Sequence, residues 1–220
     1  MSANNQTRRA LILVDIQNDF CPGGALAVPS GHEVIGVANR LMGEFDLVVA
    51  TQDWHPPGHG SFASSHAGAK VGDVVDLNGL PQVLWPDHCV QCTAGAELAP
   101  GLNLAGIDKT IRKGADAGVD SYSGFFDNGD SGRRKPTGLA EYLHARGVGE
   151  VYVMGLATDY CVKATALDAA ALGFRTHLVL DGCRGVNIRD GDVAKAIEEM
   201  ARAGVVILMS NHLGDVKKAA

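Results

Sequence analysis

Short apolar runs recur at wide intervals along the chain and predict strands. They cover residues 10–15, 46–51, 109–112, 151–154, 176–181 and 204–209. Runs this short, continuously apolar and rich in Val, Ile and Leu are typical of strands covered on both faces. The run at 109–112 (KTIR) is the least apolar of them.

Helical patterns separate most of these strands. The spacing of apolar residues predicts helices over 31–44, 138–146, 159–172 and 192–203. Ser30 and Glu33 have the spacing of a capping box at the start of the first helix. Thr158 and Asp159 are N-cap residue types at the start of the third.

This alternation predicts the fold class. We expect an α/β protein, one domain over residues 1–220 with its core at about 10–210, built on an open, mainly parallel six-stranded sheet with helices on both faces. Two intervals, 52–108 and 113–136, lack periodicity and are rich in Gly, Pro, Asp and Ser. Both follow the C-terminal ends of strands, where open α/β sheets bind ligands, so we expect a functional site there.

Composition limits the binding partners and the cellular compartment that we expect for the protein. The 220 residues carry a net charge of −6, which argues against a surface for nucleic acid or anionic membranes. No apolar run is long enough to span a membrane, and the polar start MSANNQTRR does not have the pattern of a signal peptide. Five cysteines, an odd number, fit a reducing compartment. We therefore expect a cytoplasmic protein with no nucleic-acid or membrane partner.

Reactive side chains stand where the predicted strands end. Asp15, Lys113 and Cys161 follow three different strands, and the carboxyl ends of parallel strands share one edge of a sheet. Asp15 could take the proton of the Cys161 thiol, while a lysine ammonium nearby would favour the thiolate. The start of a helix at Cys161 would also favour the thiolate, and its N–H groups could hold an oxyanion. Taken alone, Cys161 could equally be a small buried thiol that packs the helix start.

A candidate metal site lies beside these residues. Asp53 and His55 form a D-x-H pair after the second strand, and His88 lies in the next loop. One carboxylate and two imidazoles suit Zn²⁺, Fe²⁺ or Mn²⁺ with open positions for water or substrate. Ser61 or His59 could complete the ligand shell.

Five segments resemble one known family. They are LVDIQNDFCPGGAL (13–26), ATQDWHPPGHGSF (50–62), LWPDHCVQCTAGAE (84–97), RKGADAGVDSYSGF (112–125) and GLATDYCVKATALDA (155–169). In order and spacing they are similar to segments of the nicotinamidases, which belong to the isochorismatase-like cysteine hydrolases. The resemblance covers nearly the whole chain, roughly 10–210.

The resemblance implies an activity and a catalytic site. Members hydrolyse nicotinamide to nicotinate and ammonia in NAD salvage, commonly accept pyrazinamide, and form a thioester on the nucleophilic cysteine. The family's catalytic triad falls on Asp15, Lys113 and Cys161. Its oxyanion hole falls on the N–H groups of Ala157 and Cys161, after a cis peptide bond at Leu156–Ala157.

The resemblance also implies a metal cofactor and a ring-binding pocket. The ligands for one divalent metal ion per chain (Zn²⁺, Fe²⁺ or Mn²⁺) fall on Asp53, His55 and His88. A further ligand varies across the family and matches Ser61 here, with His59 as the alternative. The aromatic residues that sandwich the pyridine ring resemble Phe20 and Trp85, with Tyr122 nearby. The alanine-rich helix at 159–172 could serve as core or as the interface of a homo-oligomer.

Three alternatives remain open at this stage. Another superfamily member, such as an N-carbamoyl amidase, a ureide hydrolase or an isochorismatase, would share the triad, but many of these relatives lack the metal residues. A nucleotide-binding module on a Rossmann-like sheet would need a glycine-rich phosphate loop, and D-I-Q-N-D-F follows the first strand instead. A thiol redox protein would use Cys89 and Cys92, whose C-x-x-C spacing lacks a second pair to complete a zinc site; we interpret both as structural.

Overall fold

The structure is a computed structural model that describes residues 7–128 and 134–213. Its strands and helices are, in chain order, β1 (Arg8–Val14), α1 (Val34–Met42), β2 (Leu47–Asp53), β3 (Val74–Leu77), β4 (Leu80–Val83), β5 (Lys109–Lys113), β6 (Phe126–Asp127), β7 (Lys135–Pro136), α2 (Leu139–His144), β8 (Val148–Leu156), α3 (Lys163–Ala171), β9 (Arg175–Arg184), α4 (Asp192–Arg202) and β10 (Val206–Leu208).

One parallel sheet forms the centre of the protein and confirms the predicted fold class. Its strand order is β10-β9-β8-β1-β2-β5, and every neighbouring pair is parallel. The chain moves outward from β1 in one direction through β2 and β5, then in the other through β8, β9 and β10. The strand order therefore reverses between β1 and β8, which is where open α/β sheets form a ligand crevice at their carboxyl ends.

Burial explains the apolar runs of β1 and β2. All of β2 and the last five residues of β1 are buried, because helices cover the sheet on both faces. Helices α1 and α3 both pack on β8 and β9, and right-handed crossovers in opposite directions place them on opposite faces. The predicted strand at 109–112 is confirmed as β5, which pairs with β2 at the edge of the sheet.

The capping predicted at two helix starts is wrong, because the predicted side chains do not cap these helices. Ser30 has a left-handed backbone (φ 54°) and makes no side-chain cap hydrogen bond, while the Glu33 carboxylate pairs with Arg184. Asp159 does not cap its helix either. Its two carboxylate oxygens accept hydrogen bonds from the backbone N–H groups of Val186 and Asn187, at 3.0 and 2.7 Å. In both cases a tertiary partner takes the side chain that local sequence assigned to the helix end.

The two long intervals contain more regular structure than their composition predicted. Strands β3 and β4 form an antiparallel hairpin in the first, and β6 and β7 pair in the second. Residues 129–133 of the second interval lie outside the described residues. None of the helices within 7–128 and 134–213 combines the length and apolar character that crossing a bilayer requires.

Candidate active site

Asp15 lies directly after β1 and is completely buried. Its backbone is in the left-handed region (φ 48°), which turns the chain away from the sheet as the strand ends. The hydroxyl of Thr51, on the neighbouring strand β2, donates to Asp15 Oδ1 at 2.6 Å and accepts from the Asp15 N–H at 3.2 Å. These two bonds fix the carboxylate against the central strands.

Lys113 ends β5 and reaches inward with its ammonium group fully buried. Nζ lies 2.9 Å from Asp15 Oδ2 and donates to the Ser121 carbonyl oxygen at 3.1 Å and to Asp53 Oδ1. Burial works to lower the pKa of this lysine, but the Asp15 and Asp53 carboxylates outweigh it and hold the pKa well above its ordinary value. The ammonium is therefore permanently charged and ties the two carboxylates together.

Cys161 lies in a π-helical turn (Thr158–Val162) that joins β8 to α3. Its Sγ lies 3.5 Å from Lys113 Nζ, and one carboxylate oxygen each of Asp15 and Asp53 lies within 4.8 Å of it. Burial raises the pKa of the Cys161 thiol well above its ordinary value; Lys113 opposes the increase and the carboxylates add to it. The helix start that we expected to favour the thiolate does not outweigh burial here, and the thiol needs a base before it can act as a nucleophile.

Asp53, His55 and His88 converge beside the thiol. The Nε2 atoms of His55 and His88 lie 3.8 and 4.0 Å from Asp53 Oδ2. In each ring the other nitrogen, Nδ1, lies next to a backbone carbonyl: Gly114 O at 2.9 Å for His55, and Pro86 O at 2.8 Å for His88. Because a carbonyl only accepts, Nδ1 carries the proton in both rings, and both Nε2 lone pairs are directed at the space beside Asp53.

The electrostatics of these three side chains fit a bound cation. Burial raises the pKa of Asp53 to about 7, despite the opposing charge of Lys113. Burial also lowers the pKa of His55 to about 4 and lowers that of His88. Neutral imidazoles and a carboxylate that costs free energy to ionise are the ligands a divalent cation stabilises. The donor set therefore fits the predicted metal site.

Ser61 and His59 form a hydrogen-bonded pair next to His55. The rings of His55 and His59 lie 4.4 Å apart, and both Ser61 and His59 are fully buried. His59 Nε2 lies 3.2 Å from the Val119 carbonyl and so carries the proton, while Nδ1 accepts the Ser61 N–H at 3.1 Å. The Ser61 hydroxyl, 2.7 Å from the same Nδ1, must then donate to it. Both ring nitrogens of His59 are occupied, whereas the Ser61 hydroxyl oxygen accepts no hydrogen bond from the described residues.

A small pocket opens onto these groups and contains about 390 Å³ of space, its mouth included. The predicted ring-contact residues Phe20, Trp85 and Tyr122 line it together with Ala157 and Cys161. The Leu156–Ala157 peptide is cis, as the resemblance implied. A larger groove along β5 contains none of the predicted site residues.

Sequence reasoning missed several residues of this pocket. Tyr160 packs edge-to-face on Trp85, with ring centroids 5.0 Å apart, and could have been found from its place beside Cys161. Asp120, also in the wall, is buried and is not a strand-end residue. The Ser121 N–H donates to Asp120 Oδ1 at 2.8 Å. The remaining pocket residues that lacked a signal are Leu26, Ser121 and Val186.

The five cysteines are all free. Cys89 is buried, and its N–H donates to Asp19 Oδ2 at 2.7 Å, whereas Cys92 is exposed. Both have a positive φ, 47° and 62°, so each turns the loop around His88. This arrangement supports the structural interpretation of the C-x-x-C pair.

The fold and the site define an α/β protein with a candidate cysteine nucleophile and a candidate cation site at the crevice where the strand order reverses. The family model described as "Isochorismatase domain" matches residues 9–211. The chain therefore belongs to the isochorismatase family.

Individual relatives are similar over almost their full length. The chain is 53% identical to a nicotinamidase of Escherichia coli over 203 residues, which cover 90% of this chain and 93% of that protein. Among solved structures, an Acinetobacter baumanii nicotinamidase superposes with a TM-score of 0.89 at 44% identity, covering 94% of this chain and 98% of its own. A pyrazinamidase of Pyrococcus horikoshii in complex with zinc superposes with a TM-score of 0.73 at 38% identity, covering 92% of this chain and 99% of its own.

Proposed function

We propose that this chain is a metal-dependent cysteine amidase that hydrolyses nicotinamide to nicotinate and ammonia, serves NAD salvage in the cytoplasm, and also accepts pyrazinamide. The observation that carries the proposal is the convergence of a buried thiol, a carboxylate and an ammonium with a carboxylate–imidazole cluster beside one small, aromatic-lined pocket. The similarity to nicotinamidases over almost the whole chain supports the same substrate.

In the proposed reaction Asp15 acts as the base. It takes the proton of the Cys161 thiol, and the thiolate attacks the amide carbon while the carbonyl electrons move onto oxygen. The N–H groups of Ala157 and Cys161 hold this oxyanion. When the intermediate collapses, the C–N bond breaks, Asp15 returns the proton to the nitrogen, and ammonia leaves a thioester on Cys161. Water, deprotonated by Asp15, then hydrolyses the thioester to nicotinate and regenerates the thiol.

Lys113 and the aromatic residues position these steps. The Lys113 ammonium holds Asp15 in place and favours the thiolate once it forms, because Sγ lies 3.5 Å from Nζ. Phe20 and Trp85, which line the pocket with Tyr122 nearby, would stack on the ring and exclude bulky amides. One divalent cation, held by Asp53, His55 and His88, would supply a Lewis acid that anchors the ring nitrogen.

Ser61 is the better candidate for a further metal ligand than His59. Coordination by His59 would cost one of its two hydrogen bonds, to the Val119 carbonyl or to Ser61. The Ser61 oxygen could bind a cation while its proton stays on His59 Nδ1. This assignment favours an oxygen in the variable ligand position.

The test is ammonia release from nicotinamide and from pyrazinamide by the purified chain. Cys161→Ala should abolish release, and Cys92→Ala, which removes an exposed thiol, should leave it unchanged. Stripping the protein with a chelator should abolish release until Zn²⁺, Fe²⁺ or Mn²⁺ is restored. Activity that survives Cys161→Ala would refute the covalent mechanism. No release by metal-loaded wild type, together with release from an N-carbamoyl or ureide substrate, would assign the chain to another branch of the superfamily.

A further inference from the structure

Asp120 is a buried carboxylate without a cationic side chain to balance it. Only 5% of its surface is exposed. Its oxygens accept hydrogen bonds from Gln82 Nε2 at 2.6 Å and from the Ser121 N–H at 2.8 Å, which are both neutral donors. Within the described part of the chain, Asp120 makes no ion pair with a lysine or an arginine. A buried carboxylate with only neutral partners is costly, so its charge needs an explanation.

The position of Asp120 points to the cation. A carboxylate oxygen of Asp120 and one ring nitrogen each of His55 and His59 lie within 4.8 Å of one another, and His55 also belongs to the cluster with Asp53 and His88. Because His55 Nδ1 is bonded to the Gly114 carbonyl, His55 has one nitrogen to offer and can bind one ion. With both nitrogens of His59 occupied, the two clusters do not make two independent metal sites. Asp120 also lines the same pocket as Asp53 and His88, which places it beside the one cation that His55 can hold.

The net charge of the buried site explains why a carboxylate is favourable at Asp120. As two carboxylates and one ammonium, Asp15, Asp53 and Lys113 together carry one net negative charge, and the His55 and His88 rings hold their proton on Nδ1 against backbone carbonyls and present a bare Nε2. A divalent cation would change this to one net positive charge in a buried region. The carboxylate of Asp120 cancels that charge and makes the loaded site neutral.

We propose that Asp120 is the counter-charge of the divalent cation, a positioning residue that raises cation affinity and that Gln82 holds in place. The inference deepens the proposed function and rests on it for the presence of a cation. Gln82 links this residue to the hairpin, because it lies on β4 and donates to Asp120. The hairpin thus contributes to the metal site although none of the proposed metal ligands lies on it.

The test measures cation affinity in the absence of substrate. The full chain is stripped with a chelator, and Zn²⁺ or Mn²⁺ is titrated against a competing chelating dye. Asp120→Asn, which keeps the side chain's shape and removes its charge, should weaken binding by about 10- to 100-fold. Asp120→Glu should restore part of that loss. Asp116→Asn removes an exposed carboxylate from the same loop and should leave the affinity unchanged.

A second measurement separates this role from a structural one. If Asp120 only supports the loop, Asp120→Asn will lower the unfolding temperature of the stripped protein while the cation dissociation constant stays as in wild type, and the inference fails. It also fails if wild type binds two ions and Asp120→Asn binds one, or if wild type binds none. If cation binding depends on Asp120 but nicotinamide is not hydrolysed, the inference stands and only the proposed function fails.

Discussion

Thr51→Val tests the claim that a strand hydroxyl holds the proposed base. Thr51 on β2 and Asp15, directly after β1, are both fully buried, and the replacement keeps the branched shape of the side chain. It removes the donor to Asp15 Oδ1 (2.6 Å) and the acceptor of the Asp15 N–H (3.2 Å) without opening a cavity. The variant therefore isolates two hydrogen bonds.

The expected loss in free energy of unfolding follows from the two hydrogen bonds that the replacement removes. A hydrogen bond to a charged group contributes about 1.5–3 kcal/mol, and a buried neutral N–H left without its acceptor adds about 1 kcal/mol. Together these predict a free energy of unfolding about 2.5–4 kcal/mol lower than that of wild type. At the urea dependence typical of larger domains, about 3 kcal/mol per molar, the midpoint should fall by about 1 M.

Urea unfolding followed by circular dichroism checks this value, with Thr176→Val as the matched control. Thr176 is also a buried strand threonine, but its hydroxyl donates to a neutral acceptor, the Phe174 carbonyl, at 3.0 Å. The control should cost about 0.5–1.5 kcal/mol. Equal losses in the two variants would refute the view that Asp15 is held by a charge-assisted bond.

Three further predictions concern other parts of the molecule. Gly155→Ala should lower the free energy of unfolding, measured by thermal unfolding, by more than about 3 kcal/mol, because the new Cβ would lie 2.1 Å from the Val14 carbonyl oxygen at a φ of +124°. The control Gly147→Ala (φ +69°), whose Cβ would have no atom within 4 Å, should lower it by about 1 kcal/mol. Similar losses in the two variants would contradict the steric argument. Burial, with the hydrogen bond to Glu150, raises the pKa of Tyr152 from 10.0 to about 12. The stability that this provides is fully present below pH 10 and should be lost by pH 12, which lowers the free energy of unfolding by at most about 2.7 kcal/mol. Tyr152→Phe should remove that alkaline loss, and wild-type and variant free energies of unfolding that fall in parallel with pH would contradict this role of Tyr152. A divalent cation at about 100 times its dissociation constant should stabilise the stripped protein by about 2.7 kcal/mol, and a His88→Ala variant that still responds would exclude His88 as a ligand.

The sheet was predictable because each of its strands is indicated by a short apolar run in the sequence itself. Buried parallel strands need continuous apolar runs, and even the least apolar one, at 109–112, was found as β5. The hairpin of β3 and β4 also has a local signal. Asn78 and Gly79 have φ values of 52° and 85°, and an Asn-Gly pair between two short strands is a strong indicator of such a turn.

The site was predictable only in part, because some roles depend on contacts across the fold. Asp15, Lys113 and Cys161 stand at strand ends, so their convergence follows from the topology. Asp159 looked like a helix cap, but its acceptors are satisfied by backbone N–H groups of residues 27 and 28 positions away. Asp120 shows no pattern at all, since its role depends on a glutamine in the hairpin and on the imidazoles around it.

The central position of β1 has a consequence for biosynthesis. On one side β1 pairs with β2, which is translated soon after it, but its other partner, β8, begins at Val148, which pairs with Arg8 and lies 140 residues later. At about 5–20 residues per second, a ribosome needs about 7–28 s to produce that second partner. During this interval an apolar edge that is buried in the finished protein stays open to other nascent chains. We therefore expect the newborn chain to depend on chaperone protection until β8 has been made.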